Sequence, residues 1–182
     1  MPSASSFTFD IPTLETERLR LRAQTLDDFP ASCALWANEA VTRYTVGKPL
    51  SAEETWARML RNLGHWAMSG FGNWCVEQRD TGEFVGEVGI FDFRRELEPP
   101  VQQVPELGWV LAPHAHGNGY ATEAVQAVLR WTSQRGLDSE GVTALIQPEN
   151  GASIRVARKC GFQESNLAVY RGRPFLVFVR PA

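Results

Sequence analysis

Two glycines, Gly117 and Gly119, separate a strand-like segment that ends near Leu111 from a helix-like segment that begins at Ala121. Glycine in this position allows backbone conformations closed to other residues and lets a ligand approach the main chain. The first N–H groups of a helix lack partners within it, and the helix dipole makes that end partly positive. The arrangement predicts an α/β chain with an anion site, suited to a pyrophosphate, where the helix begins.

The glycine pair alone leaves other interpretations open. Two glycines can simply form a tight turn between a strand and a helix. A P-loop needs Lys and Ser or Thr directly after its last glycine, whereas Tyr120 and Ala121 follow here. A dinucleotide-binding fingerprint needs a third glycine and a parallel sheet. Another kind of nucleotide-phosphate-binding enzyme therefore fits poorly, and the rest of the chain must decide.

The segments before the glycines predict two helices and an antiparallel sheet. Residues 18–22 alternate arginine and leucine, as a half-buried strand does. Helices are predicted after Thr25 and from a capping box at Ser51–Glu54. Three antiparallel strands are predicted at residues 72–78, 84–93 and 102–111. The second helix should bury one apolar stripe, formed by Trp56, Met59, Leu60, Leu63 and Ala67.

The segments after the glycines complete one domain. From Ala121 the apolar positions recur at helical spacing as far as a natural stop at Gly136. A strand, a helix and two more strands follow at residues 142–147, 151–160, 162–170 and 174–180. The predicted fold class is a single α/β (α+β) domain over residues 1–182, with a loosely packed arm at 1–13. Its central sheet is mixed and mostly antiparallel, with six to seven strands and about four helices.

The charge balance and the cysteines argue against several functions. The chain has 18 Lys plus Arg against 21 Asp plus Glu, so it lacks a field that attracts nucleic acid or anionic lipid. Cys33, Cys75 and Cys160 are too far apart for a disulfide framework or a zinc site. No basic and apolar leader is present, and no run of about eighteen apolar residues. We expect a cytoplasmic protein without a metal, a nucleic-acid partner or a membrane segment.

The segment around the glycines resembles the acetyl-CoA motif of the GCN5-related N-acetyltransferases (GNAT). Glu106–Leu111 is followed by His116–Ala124. The family pattern of Gln or Arg, two residues, Gly, one residue, then Gly or Ala falls on His116, Gly119 and Ala121. His116 departs from the pattern, because a neutral imidazole brings less charge to a phosphate than a guanidinium does.

Two further signatures extend the resemblance to about residues 14–180. Asn150–Ser153 and the following Lys159–Phe162 resemble the second GNAT signature. Leu14–Arg22 resembles the opening of the branch that contains the ribosomal-protein-alanine N-acetyltransferases. Three signatures in the same order are far more specific than a glycine pair, so the chain is identified as a member of this superfamily.

The resemblance implies a site for acetyl-CoA as cosubstrate. The strands at 106–111 and 142–147 should run parallel and splay apart, which leaves backbone groups free for pantetheine. The glycine loop should hold the pyrophosphate, and Asn150 should bond the pantetheine arm while capping its own helix. The predicted cofactor-binding residues are Val110, Leu111, His116, Gly117, Asn118, Gly119, Tyr120, Ala121, Thr122, Asn150 and Ser153.

The resemblance also implies direct attack of an amine on the thioester. Glu106 is predicted to act as the base through a water, with a salt-bridged surface carboxylate as the alternative. A main-chain N–H near Val110 or Leu111 should stabilise the developing oxyanion. Ser153 is predicted to protonate the departing thiolate, and Tyr170, water or no dedicated acid are the alternatives. Cys160 fits a buried filler better than a nucleophile.

The motifs leave the acceptor amine open. The branch resemblance favours a protein or peptide N-terminal amine, whereas a polyamine or an aminoglycoside-type antibiotic is the small-molecule alternative. A catalytically idle acyl-CoA-binding sensor is the alternative outside the enzymes. Monomer and homodimer are equally compatible with the sequence. Aromatic residues that either line an acceptor pocket or belong to the core are Trp36, Tyr44, Trp56, Trp66 and Trp74.

Overall fold

An eight-stranded sheet organises the chain in this computed structural model, which describes residues 10–182. The strands are β1 (Leu14–Glu15), β2 (Leu19–Arg22), β3 (Asn73–Gln78), β4 (Phe84–Phe91), β5 (Glu106–Leu111), β6 (Val142–Ile146), β7 (Gln163–Tyr170) and β8 (Arg173–Arg180). Their spatial order is β1-β2-β3-β4-β5-β6-β8-β7, and every neighbouring pair except β5 and β6 is antiparallel. The predicted mixed, mostly antiparallel sheet is confirmed.

Five α-helices accompany the sheet in the described residues: α1 (Phe29–Ala37), α2 (Glu39–Thr42), α3 (Ala52–Ser69), α4 (Tyr120–Gln134) and α5 (Gly151–Lys159). The predicted capping box begins α3, since Ser51 Oγ accepts from the Glu54 N–H at 3.1 Å and the Glu54 carboxylate accepts from the Ser51 N–H at 2.9 Å. The elements that the sequence did not predict are β1 and α2. With two and four residues, they are too short to display a period.

Two strands are shorter than predicted by two residues or more. The strand expected over residues 84–93 ends at Phe91, because the Asp92 N–H donates to His65 Nε2 at 3.0 Å rather than to the sheet. The strand expected from residue 102 begins at Glu106. Pro105 directly before it has no N–H to offer a ladder. Of the arm expected at 1–13, residues 1–9 lie outside the described part of the chain.

The predicted apolar stripe of α3 is correct at Met59, which is 4% exposed, and wrong at Trp56 and Leu60. Trp56 is 38% and Leu60 is 51% exposed. The buried face of α3 also contains polar residues. Thr55 can be buried because its hydroxyl donates a hydrogen bond to the Ser51 carbonyl at 2.9 Å. Trp56 packs edge-on against Phe29 of α1, with ring centroids 5.6 Å apart. The side chains that α3 buries are Thr55, Met59, Asn62 and Trp66.

Three tryptophans join α3, the sheet and α4. Trp66, Trp74 and Trp131 meet edge to face, with ring centroids 4.8, 5.7 and 5.1 Å apart. Burying a large apolar side chain contributes about 1.5–3 kcal/mol, and aromatic pairing adds to that. Val125 and Val128 of α4 are fully buried in the same cluster. This packing fixes α4 on the sheet and therefore fixes where its N-terminus points.

The parallel strands β5 and β6 separate after a single point of contact. Glu106 aligns with Thr143, and no later residue of β5 pairs with β6. The whole of β6 pairs instead with β8 on its other side, from Val142 to Ile146. The splayed parallel pair expected from the family resemblance is confirmed, and a gap opens between the strands toward the C-terminal end of β5.

Candidate active site

The loop before α4 leaves its backbone open to a ligand. Gly117 and Gly119 both have a φ of +80°, a conformation that side chains rarely adopt. A Cβ placed on Gly117 would meet no atom within 4 Å. Gly119 is the N-cap residue of α4 and brings no side-chain cap to it. The first N–H groups of α4 therefore remain for an anion.

An arginine near the start of the chain holds this loop. Arg18, just before β2, donates to the Asn118 carbonyl at 2.9 Å and to the Glu123 carboxylate at 2.8 Å, and lies 4.8 Å from the centre of the Tyr120 ring. Glu123, in the first turn of α4, also accepts from the Thr16 hydroxyl at 2.6 Å. Sequence reasoning missed this contact, because partners about a hundred residues apart leave no local pattern.

Glu123 makes the loop anchor sensitive to acid. Burial opposes ionisation of its carboxyl, but the hydrogen bonds from Thr16 and Arg18 outweigh it and hold the pKa of Glu123 below its usual range. The stabilisation is therefore full above the ordinary carboxyl pKa and is lost as the pH falls through the lowered one. We expect Glu123→Gln to lower the free energy of unfolding by about 1 kcal/mol at neutral pH and by progressively less in acid.

Urea unfolding at several pH values measures this effect. The matched control is Glu164→Gln, because Glu164 is a 46% exposed carboxylate paired with Arg158 at 3.4 Å on the surface. The control should change stability little at any pH. A loss in Glu123→Gln that stays constant into acid would contradict an ionic origin for the anchor.

His116 is tied to the end of β5. Its Nε2 lies 2.9 Å from the Leu111 carbonyl oxygen, and a carbonyl only accepts, so Nε2 carries the proton. Nδ1 is then the ring nitrogen that remains for a ligand. The Asn118 amide donates to the His116 carbonyl at 3.3 Å. These contacts place the glycine loop beside the strand end where the gap opens.

Every second backbone N–H group of β5 is directed at the gap between β5 and β6. The Ala112 N–H donates to the Val85 carbonyl at 2.9 Å, and hydrogen-bonded pairs alternate along an antiparallel ladder. The register pairs Val110 with Glu87, so the Val110 N–H is directed at β4 and the Leu111 N–H at the gap. Of the two residues predicted to stabilise an oxyanion, Leu111 directs its N–H at the gap, whereas Val110 is the one that lines the cavity.

The start of α5 forms the opposite wall. Asn150 is its N-cap residue, and the Asn150 Oδ1 accepts from the Ser153 N–H at 3.1 Å. The Asn150 amide nitrogen is not needed for that cap and is available to a ligand. Asn150 and Ser153 both line the cavity that fills the gap.

This cavity, of about 690 Å³, brings the predicted catalytic residues together. Among the described residues, Leu111 and the loop His116–Thr122 do not line it. Trp36 and Tyr44 contribute to its wall, whereas Trp66 and Trp74 belong to the core. The predicted site residues that line the cavity are Glu106, Val110, Asn150 and Ser153.

Glu106 is held by a guanidinium. Arg95 Nε and Nη2 lie 2.6 and 2.9 Å from the two Glu106 oxygens, a bidentate ion pair. Burial opposes the charge of Arg95, but Glu106 outweighs it and the pKa of Arg95 lies above its usual range. The pair fixes the orientation of Glu106, and each carboxylate oxygen keeps a second lone pair for a water.

A second carboxylate, Glu87 of β4, lines the same cavity and was not predicted. It is 2% exposed and accepts from the Trp36 indole N–H at 3.2 Å and the Gln24 amide at 3.3 Å, with Arg58 Nε at 3.8 Å. A buried carboxylate requires such partners. A lone acidic residue inside an apolar strand was the signal in the sequence that could have found it.

The structure also bears on the cysteines, on clusters of metal-ligating side chains and on membrane-spanning helices. Burial raises the pKa of the Cys160 thiol to about 11, which agrees with a buried filler. Within residues 10–182 no group of three or more His, Cys, Asp or Glu is placed to hold a metal ion. In that same range, no helix has the length and apolarity needed to cross a bilayer.

The splayed strands, the open glycine loop and the shared cavity together define the architecture of an acetyltransferase. A family model described as an acetyltransferase (GNAT) domain matches residues 18–163. The uncharacterised N-acetyltransferase YoaA of Bacillus subtilis is 31% identical over 158 residues, which cover 86% of this chain and 85% of YoaA. The chain therefore belongs to the GNAT family of acetyltransferases.

Solved structures agree with this assignment. The crystal structure of an acetyltransferase from Agrobacterium tumefaciens has a TM-score of 0.80 and 32% identity, covering 96% of this chain and 97% of that one. The ribosomal L7/L12 α-N-protein acetyltransferase RimL, solved in complex with coenzyme A, has a TM-score of 0.74 and 18% identity, covering 93% and 98%. At that identity the likeness to RimL is one of fold.

Proposed function

We propose that the protein transfers the acetyl group of acetyl-CoA to a primary amine by direct attack. The observation that carries the proposal is the position of the open loop Gly117–Gly119 beside the end of β5, where the gap to β6 leads into the cavity. A phosphate-binding helix start next to a cleft with free backbone donors suits a long ligand with a pyrophosphate at one end and a thioester at the other.

The residues present fit acetyl-CoA. The first N–H groups of α4 are available for the pyrophosphate. The Asn150 amide nitrogen is available to the pantetheine arm. When bound, acetyl-CoA supplies the electrophilic thioester carbonyl. The Leu111 N–H is directed toward the gap, where it can donate to an oxygen that gains negative charge.

The proton route that we propose uses Glu106 and Ser153. The attacking amine must lose a proton, and Glu106 accepts it through a water that uses the free lone pair of a carboxylate oxygen. Arg95 keeps that carboxylate fixed against the cavity wall. Ser153, on the first turn of α5, donates its hydroxyl proton to the departing thiolate and regains a proton from water, so that free CoA thiol leaves. Holding both reactants in one cavity supplies much of the remaining rate enhancement.

Ligand-dependent thermal stability tests the cofactor proposal. A ligand at about 100 times its Kd adds roughly 2.7 kcal/mol, or about 5 to 10 °C for a domain of this size. Acetyl-CoA and CoA should both raise the melting temperature, whereas ATP and NAD at the same concentration should not. Equal shifts by ATP or NAD would mean that the loop serves another nucleotide, and no shift by CoA would make the loop structural.

A further inference from the structure

The cavity wall is rich in arginine. Five arginines line it against two carboxylates, Glu87 and Glu106, and neither lysine nor aspartate does so in the described residues. The whole chain has a net charge of -3, so this local excess opposes the overall balance. Charge of one sign on the wall of a cleft focuses the field within it. The five arginines are Arg58, Arg61, Arg95, Arg171 and Arg173.

Two of these arginines have carboxylate partners and three do not. Arg95 is bound by Glu106 at 2.6 Å, and Arg58 lies 3.8 Å from Glu87. Within residues 10–182, no carboxylate lies within ion-pair distance of Arg61, Arg171 or Arg173. These three come from α3 and from the turn and strand that follow β7. The wall thus carries three positive charges that no carboxylate of the described chain compensates, and of these Arg173 also donates to the Arg43 and Thr45 carbonyl oxygens at 2.9 and 3.4 Å.

The arginines also disfavour one another. Burial lowers the pKa of Arg61, and the positive charges of Arg95 and Arg171 lower it further. Burial lowers the pKa of Arg58 to about 10, with Glu87 opposing the shift and Arg61 and Arg95 adding to it. The Arg58 Nε is buried and has no hydrogen-bond partner. An anion in the cavity would relieve this repulsion and offer acceptors.

Three aromatic side chains of the cavity wall already face cations of the chain. The Arg58 guanidinium lies 3.6 Å from the centre of the Trp36 ring, and the Arg95 guanidinium lies 4.4 Å from Phe93 and 4.7 Å from Tyr170. A cationic ligand would need such ring faces for itself. The cavity is therefore poorly suited to a polyamine or an aminoglycoside, which carry several positive charges.

The cofactor phosphates do not account for these arginines. The pyrophosphate site proposed above is the start of α4, and none of residues 116–121 lines the cavity. The arginines lie instead with Glu106, on the side where an acceptor amine must reach the gap.

From the uncompensated arginines we infer that the acceptor is an amine that carries an anionic group, a carboxylate or a phosphate, near the amine. The inference rests on the acetyl-transfer function proposed above and names its substrate class. The anion lies against Arg61, Arg171 and Arg173, while the amine faces Glu106. Hydrogen bonds to a charged partner favour such a ligand by roughly ten- to a hundredfold over a neutral one.

Matched amines test the inference through kcat/KM with acetyl-CoA. Ala-Glu-NH₂ and Ala-Gln-NH₂ differ by one negative charge on a peptide, and O-phosphoethanolamine and ethanolamine differ likewise as small amines. The charged member of a pair should react at least about tenfold better, and which pair reacts tells a peptide acceptor from a small one. Spermidine should have a lower kcat/KM than the anionic amine of the pair that reacts. Equal rates within both pairs, or a preference for spermidine, would overturn the inference.

The Arg61→Gln variant tests whether the preference for a charged amine arises from the cavity arginines. Arg61 lines the cavity from α3, and Arg130→Gln is its matched control because Arg130 lies on α4, away from the cavity. Arg61→Gln should shrink the preference for the charged amine by roughly tenfold, and Arg130→Gln should leave it unchanged. An undiminished preference in a folded Arg61→Gln protein would overturn the assignment.

A binding measurement separates this inference from the acetyl-transfer proposal. The same four amines are compared by thermal shift in the presence of CoA. Stabilisation by the charged amines alone, without turnover of any amine, would support the anionic subsite and contradict acetyl transfer. Turnover of neutral and charged amines at equal rates would support acetyl transfer and contradict the anionic subsite. Absence of both stabilisation and turnover would overturn both.

Discussion

Gly119→Val is expected to weaken CoA binding by at least about a hundredfold, which corresponds to about 2.7 kcal/mol. Gly119 has a φ of +80°, where a β-branched residue is strained by about 1–3 kcal/mol. Its added Cβ would lie 3.5 Å from Arg18, so the valine methyl groups would occupy the space between the loop and its anchor. They would also cover the N–H groups that a phosphate must approach. Calorimetric titration with CoA measures the loss.

Gly136→Val is the matched control for backbone strain. Gly136 follows the other end of α4, has a φ of +65°, and has open space around its Cβ position. It should lose a similar amount of stability while CoA affinity stays unchanged. If Gly119→Val folds and binds CoA as tightly as the wild type, the glycine loop is not the phosphate site. If both variants lose affinity equally, strain in α4 rather than blocked access is the cause.

Elements with strong local signals were predictable from the sequence. The capping box at Ser51 and the run from Ala121 to Gly136 each place a helix, because capping and 3.6-residue periodicity act over neighbouring residues. Which face of a helix is buried was harder to predict, as α3 shows. Trp56 and Leu60 of the predicted stripe are exposed, because α3 buries Thr55 and Asn62 beside Met59 instead. Hydrophobicity alone cannot show which polar side chains find partners in the folded chain.

In the candidate site, too, features that depend on neighbouring residues were predictable and contacts between distant residues were not. The glycine loop and Asn150 were visible in the sequence, because backbone conformation and capping depend on local residues. The Arg18–Glu123 anchor and the Arg95–Glu106 pair were not, because their partners meet only when the sheet assembles. The positive character of the cavity is likewise invisible in a chain of net charge -3, since it arises from which arginines share one wall.

The two kinds of anion contact in this protein have different physical origins. At the start of α4 the donors are backbone groups with partial charge, and the adjacent Arg18 is neutralised by Glu123. In the cavity the donors are full guanidinium charges, of which Arg61, Arg171 and Arg173 have no carboxylate within ion-pair distance in the described residues. Backbone donors suit a phosphate that remains exposed to water at one end, whereas uncompensated arginines favour an anion that displaces water from a cleft. Under the two proposals made above, this difference would allow the chain to distinguish acetyl-CoA from the acceptor amine.

Glu106→Gln is expected to lower kcat by roughly ten- to a thousandfold, the scale of losing a general base. CoA affinity should change little, because Glu106 lies away from the glycine loop on the cavity wall. Glutamine keeps the size and one acceptor for Arg95 but cannot take up a proton at neutral pH. The loss should be smallest at alkaline pH, where the free amine is abundant and needs no base. Steady-state rates across the neutral and alkaline range, with CoA titrations, measure both effects.

Two variants sharpen this test. Glu164→Gln removes an exposed carboxylate outside the cavity and should leave kcat unchanged. Glu87→Gln removes the other cavity carboxylate, which is 2% exposed and bound by several donors. That environment satisfies Glu87 as a structural anion, so its loss should lower stability more than turnover. If a folded Glu87→Gln protein loses turnover while Glu106→Gln keeps full activity at every pH, Glu87 is the base. Arg95 then serves only to neutralise Glu106.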